Sequence, residues 1–310
     1  MAVPVHLTGT GAPVGEIGDV AEVDQGVLLA WGERHLRDLP WRRSRDPWAV
    51  LVSEVMAQQT GVDRVIPYWH AFLDRFPDPA TCAAAPVADV LRLWAGLGYN
   101  RRGLSLHRCA VAVVEDHGGT VPSDLVSLLA LPGIGPYTAR AILAFAYEHR
   151  VGVVDTNVGR VLARWAGRPL ATGEAQAWAD DLAGLDPPVM AWLWNQTVME
   201  LGGTVCAKRR PDCGRCPLRN VGCRWQASGR TEPDPAEGSA GVSKGQSRFE
   251  GSDRQGRGRL VDALRRGPVR TVDLAPVMGW PGDGPRARRV AATVVADGLA
   301  VEDGGTLRLP

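Results

Sequence analysis

Four cysteines fall within 18 residues, in the spacing Cys206-x6-Cys213-x2-Cys216-x6-Cys223. Thiolates packed so closely can wrap a [4Fe–4S] cube. Zinc is the rival, but zinc sites more often show two paired CxxC knuckles, and only one occurs here. The loop also carries Lys208, Arg209, Arg210, Arg215, Arg219 and Arg224 against one acid, Asp212, which suits a phosphate-facing surface. A second feature is Leu131-Pro-Gly-Ile-Gly-Pro-Tyr-Thr138, set between a leucine-rich helix and a good helix former. Its glycines let the backbone approach a partner, and the turn aims amides from a helix N-terminus, an arrangement that holds a phosphate. Asp155, in Val154-Asp-Thr-Asn-Val158, follows Tyr137 by 18 residues. It is either a helix N-cap or a functional carboxylate. Glu54 stands between apolar neighbours in Ser53-Glu-Val-Met-Ala-Gln-Gln-Thr60. Such a residue ordinarily sits at the surface or in a salt bridge; half-buried, its carboxyl would titrate high.

The elements that must position these groups are helices. Apolar residues recur at three- and four-residue spacing in VLLAWGERHL, AVLVSEVMAQQ, VIPYWHAFLDRF, VADVLRLWAGL and TARAILAFAY. No run between about Val20 and Trp225 sustains strand alternation, so the expected class is all-α. Residues 228–247 have the Gly, Ser, Pro and Glu content of a linker. Beyond them the pattern predicts helices over Asp253–Arg266, Thr271–Met278 and Pro285–Asp297, then a Gly-bearing hairpin. That order suggests a winged helix-turn-helix or a generic small helical cap.

The chain has 310 residues and 45% apolar content, enough for one large or two modest domains. Its net charge of +1 supplies no global pull on nucleic acid, so any such partner needs a local basic face. Of 35 basic residues only Lys208 and Lys244 are lysines, consistent with a GC-rich coding bias. Chemistry that needs a reactive amine therefore has two candidates. No apolar run approaches the roughly 20 residues of a membrane span. The N-terminal stretch lacks the basic flank and apolar core of a signal peptide. A cytoplasmic protein with a loose N-terminus over 1–18 is expected.

Taken together, LPWR, SEVMAQQT, GLGY, LPGIGPYT, VDTNVGRVLAR and the cysteine set occur in the order of the helix-hairpin-helix DNA glycosylases. The chain most closely resembles the MutY-type adenine glycosylases, of actinobacterial kind, over about residues 20–225. Endonuclease III shares the cluster but places a lysine where Tyr137 stands. The resemblance implies a two-lobed fold: a six-helix barrel over 46–154 and a cluster-bearing lobe from 19–45 and 155–227. It further implies base excision from duplex DNA at A:8-oxoguanine or A:G mismatches, by a monomer working in the nucleoid. Glu54 would protonate the adenine and, once ionised, activate water; Asp155 would stabilise the positive sugar electrostatically or as a transient covalent partner. Tyr137 and Asn157 would orient these groups. Trp41, Arg42 and Gln196 would hold the flipped adenine, Gln59 and Tyr99 would wedge into the stack, and Gly133 and Gly135 would meet phosphate. Cys206, Cys213, Cys216 and Cys223 would ligate the [4Fe–4S] cluster. With no lysine at the hairpin, glycosylase action without efficient strand cleavage is expected.

Four departures stand out. The last cysteine spacing is six where the family usually shows five. Asn100 replaces a second tyrosine after GLGY, and Thr156 replaces a glycine. The usual Nudix-like C-terminal domain is absent; in its place the winged-helix-like segment 248–310, with Arg254, Arg257, Arg259, Arg265 and Arg266, is expected to clamp DNA, and Phe249-Glu-Gly-Ser252 either touches the opposite base or anchors the linker. Rival functions are a thymine or uracil mismatch glycosylase on the same scaffold, and a non-catalytic iron–sulfur sensor that binds DNA.

Overall fold

The structure is a computed structural model and describes residues 25–184, 187–240 and 248–310. The expected loose N-terminus, residues 241–247 of the linker segment and Lys244 lie outside the described residues. Helices dominate, as expected; the strands among the described residues form one small sheet near the C-terminus. No described helix is long and apolar enough to cross a membrane. The chain divides into two compact units, Met1–Arg37 with Arg150–Ser243, and Asp38–His149 with Lys244–Pro310.

The second of these units is organised around the helix Pro47–Ala57. Its sequence, PWAVLVSEVMA, is apolar on every side, and nine of its residues, Trp48 through Met56, are buried. A helix without a polar face must be enclosed, and this one packs against Val62–Arg75, Arg101–His117 and Pro136–Phe145. Local signals set the helix starts: Asp46 accepts from the amide of Trp48, Asp78 forms a capping box with Thr81, and Asp124 accepts from Ser127.

The C-terminal module belongs to this unit. Asp253–Arg266 is helical over the predicted span, started by the Ser252 cap. The predicted second helix is a 3-10 turn, Thr271–Asp273, running into Leu274–Met278. The third spans Gly284–Ala296. The hairpin Val301–Asp303/Thr306–Arg308 gains an unforeseen third strand, Val269–Arg270, which pairs antiparallel with it through Val269 and Leu307. Two residues are too few to show alternation in sequence. Leu260, Leu264, Met278, Val290 and Leu307 form a core that continues into Ala88, Leu91 and Leu104 of the preceding helices. Arg265 reinforces this seam, donating from Nε to the Leu91 carbonyl at 2.8 Å and from Nη2 to Asn100 Oδ1 at 2.7 Å.

The other unit packs Gln25–His35, Thr156–Ala166, Thr172–Ala183 and Pro188–Thr204 around Trp31, Trp165, Trp178 and Trp194. Gly32 is required here: a Cβ on it would lie 1.9 Å from Thr197 Oγ1 on the neighbouring helix. Residues 228–240, linker-like in composition, lie packed against this unit. Pro235, Ala236, Ser239 and Ala240 are buried, and the Ala240 amide bonds the Leu170 carbonyl at 2.9 Å. The segment is held by backbone bonds and by Asp234, which composition does not register.

Candidate active site

Glu54 carries the only charge in the Pro47–Ala57 helix and is 8% exposed. The helix ends without a glycine. Its last carbonyls are instead satisfied by Arg102, whose Nη1 donates to Val55 O and Met56 O, each at 2.9 Å, and to Gln58 O. Nη2 of the same side chain reaches Thr60 Oγ1 at 3.1 Å and the carbonyls of Leu97 and Gly98 at 3.4 Å. One guanidinium therefore ties two loops together. At their tips Gln59 and Tyr99 adopt left-handed backbone conformations, φ 56° and 47°. Such conformations cost a non-glycine residue about 1–2 kcal/mol and persist only where surrounding contacts impose them. Tyr99 is 45% exposed, and Arg102 lies 5.2 Å from its ring. Burial pulls the Arg102 pKa down to about 10, which leaves it charged at neutral pH.

Trp41 and Arg42 close the 3-10 turn Pro40–Arg42, with the Trp41 ring edge-on to Trp69 at 6.1 Å. The segment Leu131–Gly135 is a tight hairpin between Leu125–Ala130 and Pro136–Phe145. Gly133 has φ +80°, and a Cβ there would lie 2.7 Å from Ser105 Cβ. Gly135 is the N-cap of the next helix and offers no side chain to its first amides. Tyr137, the second residue of that helix, is half-buried. Glu54, Trp41, Arg42, Gln59, Tyr99, Gly133, Gly135 and Tyr137 thus all lie in one unit.

Asp155, Asn157, Gln196 and the four cysteines lie in the other. Asp155 is the N-cap of Thr156–Ala166: Oδ1 accepts from the amides of Asn157 and Val158 at 2.8 and 2.7 Å, and Oδ2 accepts from Asn157 Nδ2 at 2.8 Å. Burial still outweighs these bonds and the nearby Arg160, and holds the carboxyl above the usual carboxylate range. Asn157 Oδ1 in turn accepts from Arg160 Nη2 at 2.8 Å; the same Nη2 reaches Gly202 O at 2.6 Å, Nε reaches Cys206 O at 2.7 Å and Nη1 reaches Thr156 O at 3.3 Å. Gln196 is buried on the Pro188–Thr204 helix.

Cys206, Cys213, Cys216 and Cys223 line one cavity beside Leu201, Leu218 and Trp225. Donors point at the sulfurs. Arg164 Nη1 reaches Cys206 Sγ at 3.3 Å, the Leu218 amide serves Cys216, and the Gln226 and Trp225 amides serve Cys223. As a lone thiol Cys216 is pushed up to about 12 by burial. Arg164 is held against Trp225 and by a buried ion pair with Asp234 at 2.6 Å. Among the described residues no three His, Cys, Asp or Glu side chains converge tightly enough for a single metal ion.

Arg102, Arg160, Arg164 and Asp234 were not singled out by the sequence. Arg160 and Arg164 stand four apart, on one helix face, which is the one local hint. In so arginine-rich a chain that hint is faint.

This fold and its hairpin are those of a DNA glycosylase: the model of the HhH-GPD superfamily of base excision DNA repair proteins matches residues 52–176. A thermostable thymine-DNA glycosylase is similar in structure, with a TM-score of 0.62 and 25% identity, covering 68% of this chain and 99% of that one. In sequence, the adenine DNA glycosylase of Mycolicibacterium smegmatis is 44% identical over 280 residues, which cover 88% of this chain and 90% of the relative. That of Mycobacterium tuberculosis H37Rv is 44% identical over 283 residues, 88% of each. The chain belongs to the MutY-type adenine DNA glycosylase family.

Proposed function

We propose that the protein hydrolyses the N-glycosidic bond of adenine paired with 8-oxoguanine or guanine in duplex DNA, without cleaving the strand. The observation that carries this reading is Glu54, an ionisable group buried on an otherwise uncharged helix. General acid–base work needs a carboxyl fixed on a rigid, enclosed element, and Glu54 is the one such group on this helix. Glu54 gives its proton to the adenine ring. The bond to the sugar then breaks, and its electron pair leaves with the base. Asp155, ionised, offsets the positive charge that grows on the sugar. Its two oxygens are pinned by the cap bonds and by Asn157, so little reorganisation is needed. Glu54, now a carboxylate, takes a proton from the water that adds to the anomeric carbon.

In this reading Tyr137 hydrogen-bonds near the reacting groups. Trp41, Arg42 and Gln196 hold the extruded adenine, Gln59 and Tyr99 fill the stack, and Gly133 and Gly135 bring amides to phosphate. The four cysteines would ligate a [4Fe–4S] cluster: they line one cavity, and amide and guanidinium donors serve three of the sulfurs. When bound, the cluster supplies a rigid, redox-capable brace for the arginine-rich loop. Strand cleavage by Schiff-base chemistry needs an amine, and Lys208 sits exposed in that loop. Such a substrate places the work, by a monomer, on the nucleoid.

A duplex panel of A:8-oxoG, A:G, T:G and U:G tests the proposal. Release of adenine from the first two is expected, with Glu54→Gln slower by about 10²–10⁴-fold. Release of thymine or uracil instead, or an unimpaired Glu54→Gln, would overturn it.

A further inference from the structure

The cap bonds aim Asp155 with respect to its own helix. Its place relative to Gln196 is decided upstream, in the stretch 151–154, which is neither helix nor strand. Gly152 and Val153 are buried there, and buried main-chain groups need partners. Side chains supply them, on alternate edges. On one edge the Asn195 carboxamide accepts from the Val153 amide at 2.8 Å and donates to the Val151 carbonyl at 2.9 Å. On the other, Asp180 Oδ1 accepts from the Gly152 amide at 2.7 Å, and Gln176 Nε2 donates to the Gly152 carbonyl at 2.9 Å. Gln176 also donates to Asp180 Oδ1 at 3.2 Å, so these two side chains brace each other. Alternate residues facing opposite edges are the pattern of a strand held between two neighbours. Here three side chains from the helices Thr172–Ala183 and Pro188–Thr204 take the neighbours' place.

The fit is close. A Cβ on Gly152 would lie 2.4 Å from the Ala179 carbonyl carbon and 2.6 Å from its oxygen, so the chain runs directly against helix backbone. Asn195 is wholly buried, and its Nδ2 also donates to Ala191 O, one turn back, at 2.9 Å. The amide cannot rotate without stranding a buried polar group. Asn195 is thus locked to its own helix on one side and, on the other, to the stretch that ends two residues before Asp155. Its neighbour along that helix is Gln196, the residue proposed to hold the adenine.

We propose that Asn195 is a positioning residue: it holds Asp155 in register with Gln196, so that the group facing the sugar and the group facing the base keep one spacing. The role rests on the adenine-release reading. Asn195 acts through Val153 and the chain leading to Asp155. Reacting geometry is steep enough that a misplacement of about 1 Å can cost about 10²-fold in rate.

The test uses the full-length protein, single turnovers on an A:8-oxoG duplex, and binding to a duplex carrying a hydrolysis-resistant 2′-fluoro-adenosine. Asn195→Ala should lower the rate constant roughly 10²-fold at full amplitude. Affinity for the resistant duplex should stay within about threefold, the mark of an interaction felt as the bond breaks. In an Asp155→Asn background the same substitution should cost less than about threefold, because no charge is left to place. A purely structural role would add in full. A wild-type rate in Asn195→Ala, or an additive loss in the Asp155→Asn background, would overturn the proposal. Should Asn195→Ala not fold, Gln176→Met, which removes a bond from the opposite edge, is taken through the same pair of measurements. Its expected loss is about fivefold, again vanishing beside Asp155→Asn, and the same two outcomes judge it. No adenine release by the wild type would sink the glycosylase reading instead.

Discussion

Replacing Arg102 by methionine should cost the protein about 3 kcal/mol of stability and disturb the two loops it ties. The side chain bonds the carbonyls of Val55, Met56 and Gln58, then Thr60 and the Leu97–Gly98 backbone. The methionine keeps the stem and removes every donor. Three main-chain carbonyls at the end of the Glu54 helix then lose a charged partner, each at about 1–3 kcal/mol where water does not replace it. Relief of the guanidinium's own burial, visible in its lowered pKa, returns part of that sum. The net corresponds to a fall in Tm of about 6–12 °C for a domain of this size. Because Arg102 titrates at about 10, the difference should be flat across about pH 6–9. Thermal melts followed by circular dichroism read it directly. Arg102→Lys, with donors on a single nitrogen, can serve one loop but not both, and should recover about half the loss. A methionine variant melting within about 2 °C of the wild type, or a lysine variant equal to it, would refute the idea that the planar guanidinium carries the junction.

Three further outcomes follow from other parts of the site. Burial raises the Asp155 pKa, so its charge is present above that raised value and lost as pH falls through it. The acid limb of the single-turnover rate should therefore lie above the ordinary carboxylate value of about 3.9; Asp155→Asn, which keeps the cap acceptor but loses the oxygen that accepts from Asn157 Nδ2, should lower the rate about 10²–10³-fold and remove that limb, at a stability cost of about 1–3 kcal/mol for the lost bond. Asp234→Asn strands the buried Arg164 charge and should cost about 3–5 kcal/mol by chemical denaturation at neutral pH. Since pairing with Arg164 depresses the Asp234 pKa, its stabilising contribution persists above the unfolded-state value and fades as pH falls through the lower folded one, so the gap should close only in acid. Cys216→Ser should lose iron, sulfide and visible absorption together; wild-type protein carrying zinc and no iron would refute the cluster assignment.

What the sequence disclosed followed from how local each signal is. The helix Asp253–Arg266 is bounded by a serine cap and a closing glycine, so its ends are legible. Strand Val269–Arg270 exists only because Leu307, far along the chain, pairs with it. Arg164 and Asp234 lie 70 residues apart, and nothing near Asp234 distinguishes it from other acids of a linker-like stretch. Asp155 shows a different limit. Its sequence allowed a cap or a functional carboxylate, and the structure makes these compatible: the cap bonds orient the group while burial raises its pKa.

Arg160 supplies a physical reason for a cysteine loop in a protein whose proposed reaction is hydrolysis. Its Nη2 binds Asn157 Oδ1 and the Gly202 carbonyl, and its Nε binds the carbonyl of Cys206. Asn157 holds Asp155, and Cys206 is the first of the four cysteines. Any displacement of the Cys206 backbone must therefore either break a bond to a buried guanidinium or move it, and moving it turns the amide that aims the carboxylate. Two continuous side-chain steps separate the cysteine loop from the Asp155 carboxylate, the group proposed to face the sugar. Loss of order at the cysteines would then appear first as misdirected Asp155, before any loss of the helix that carries it.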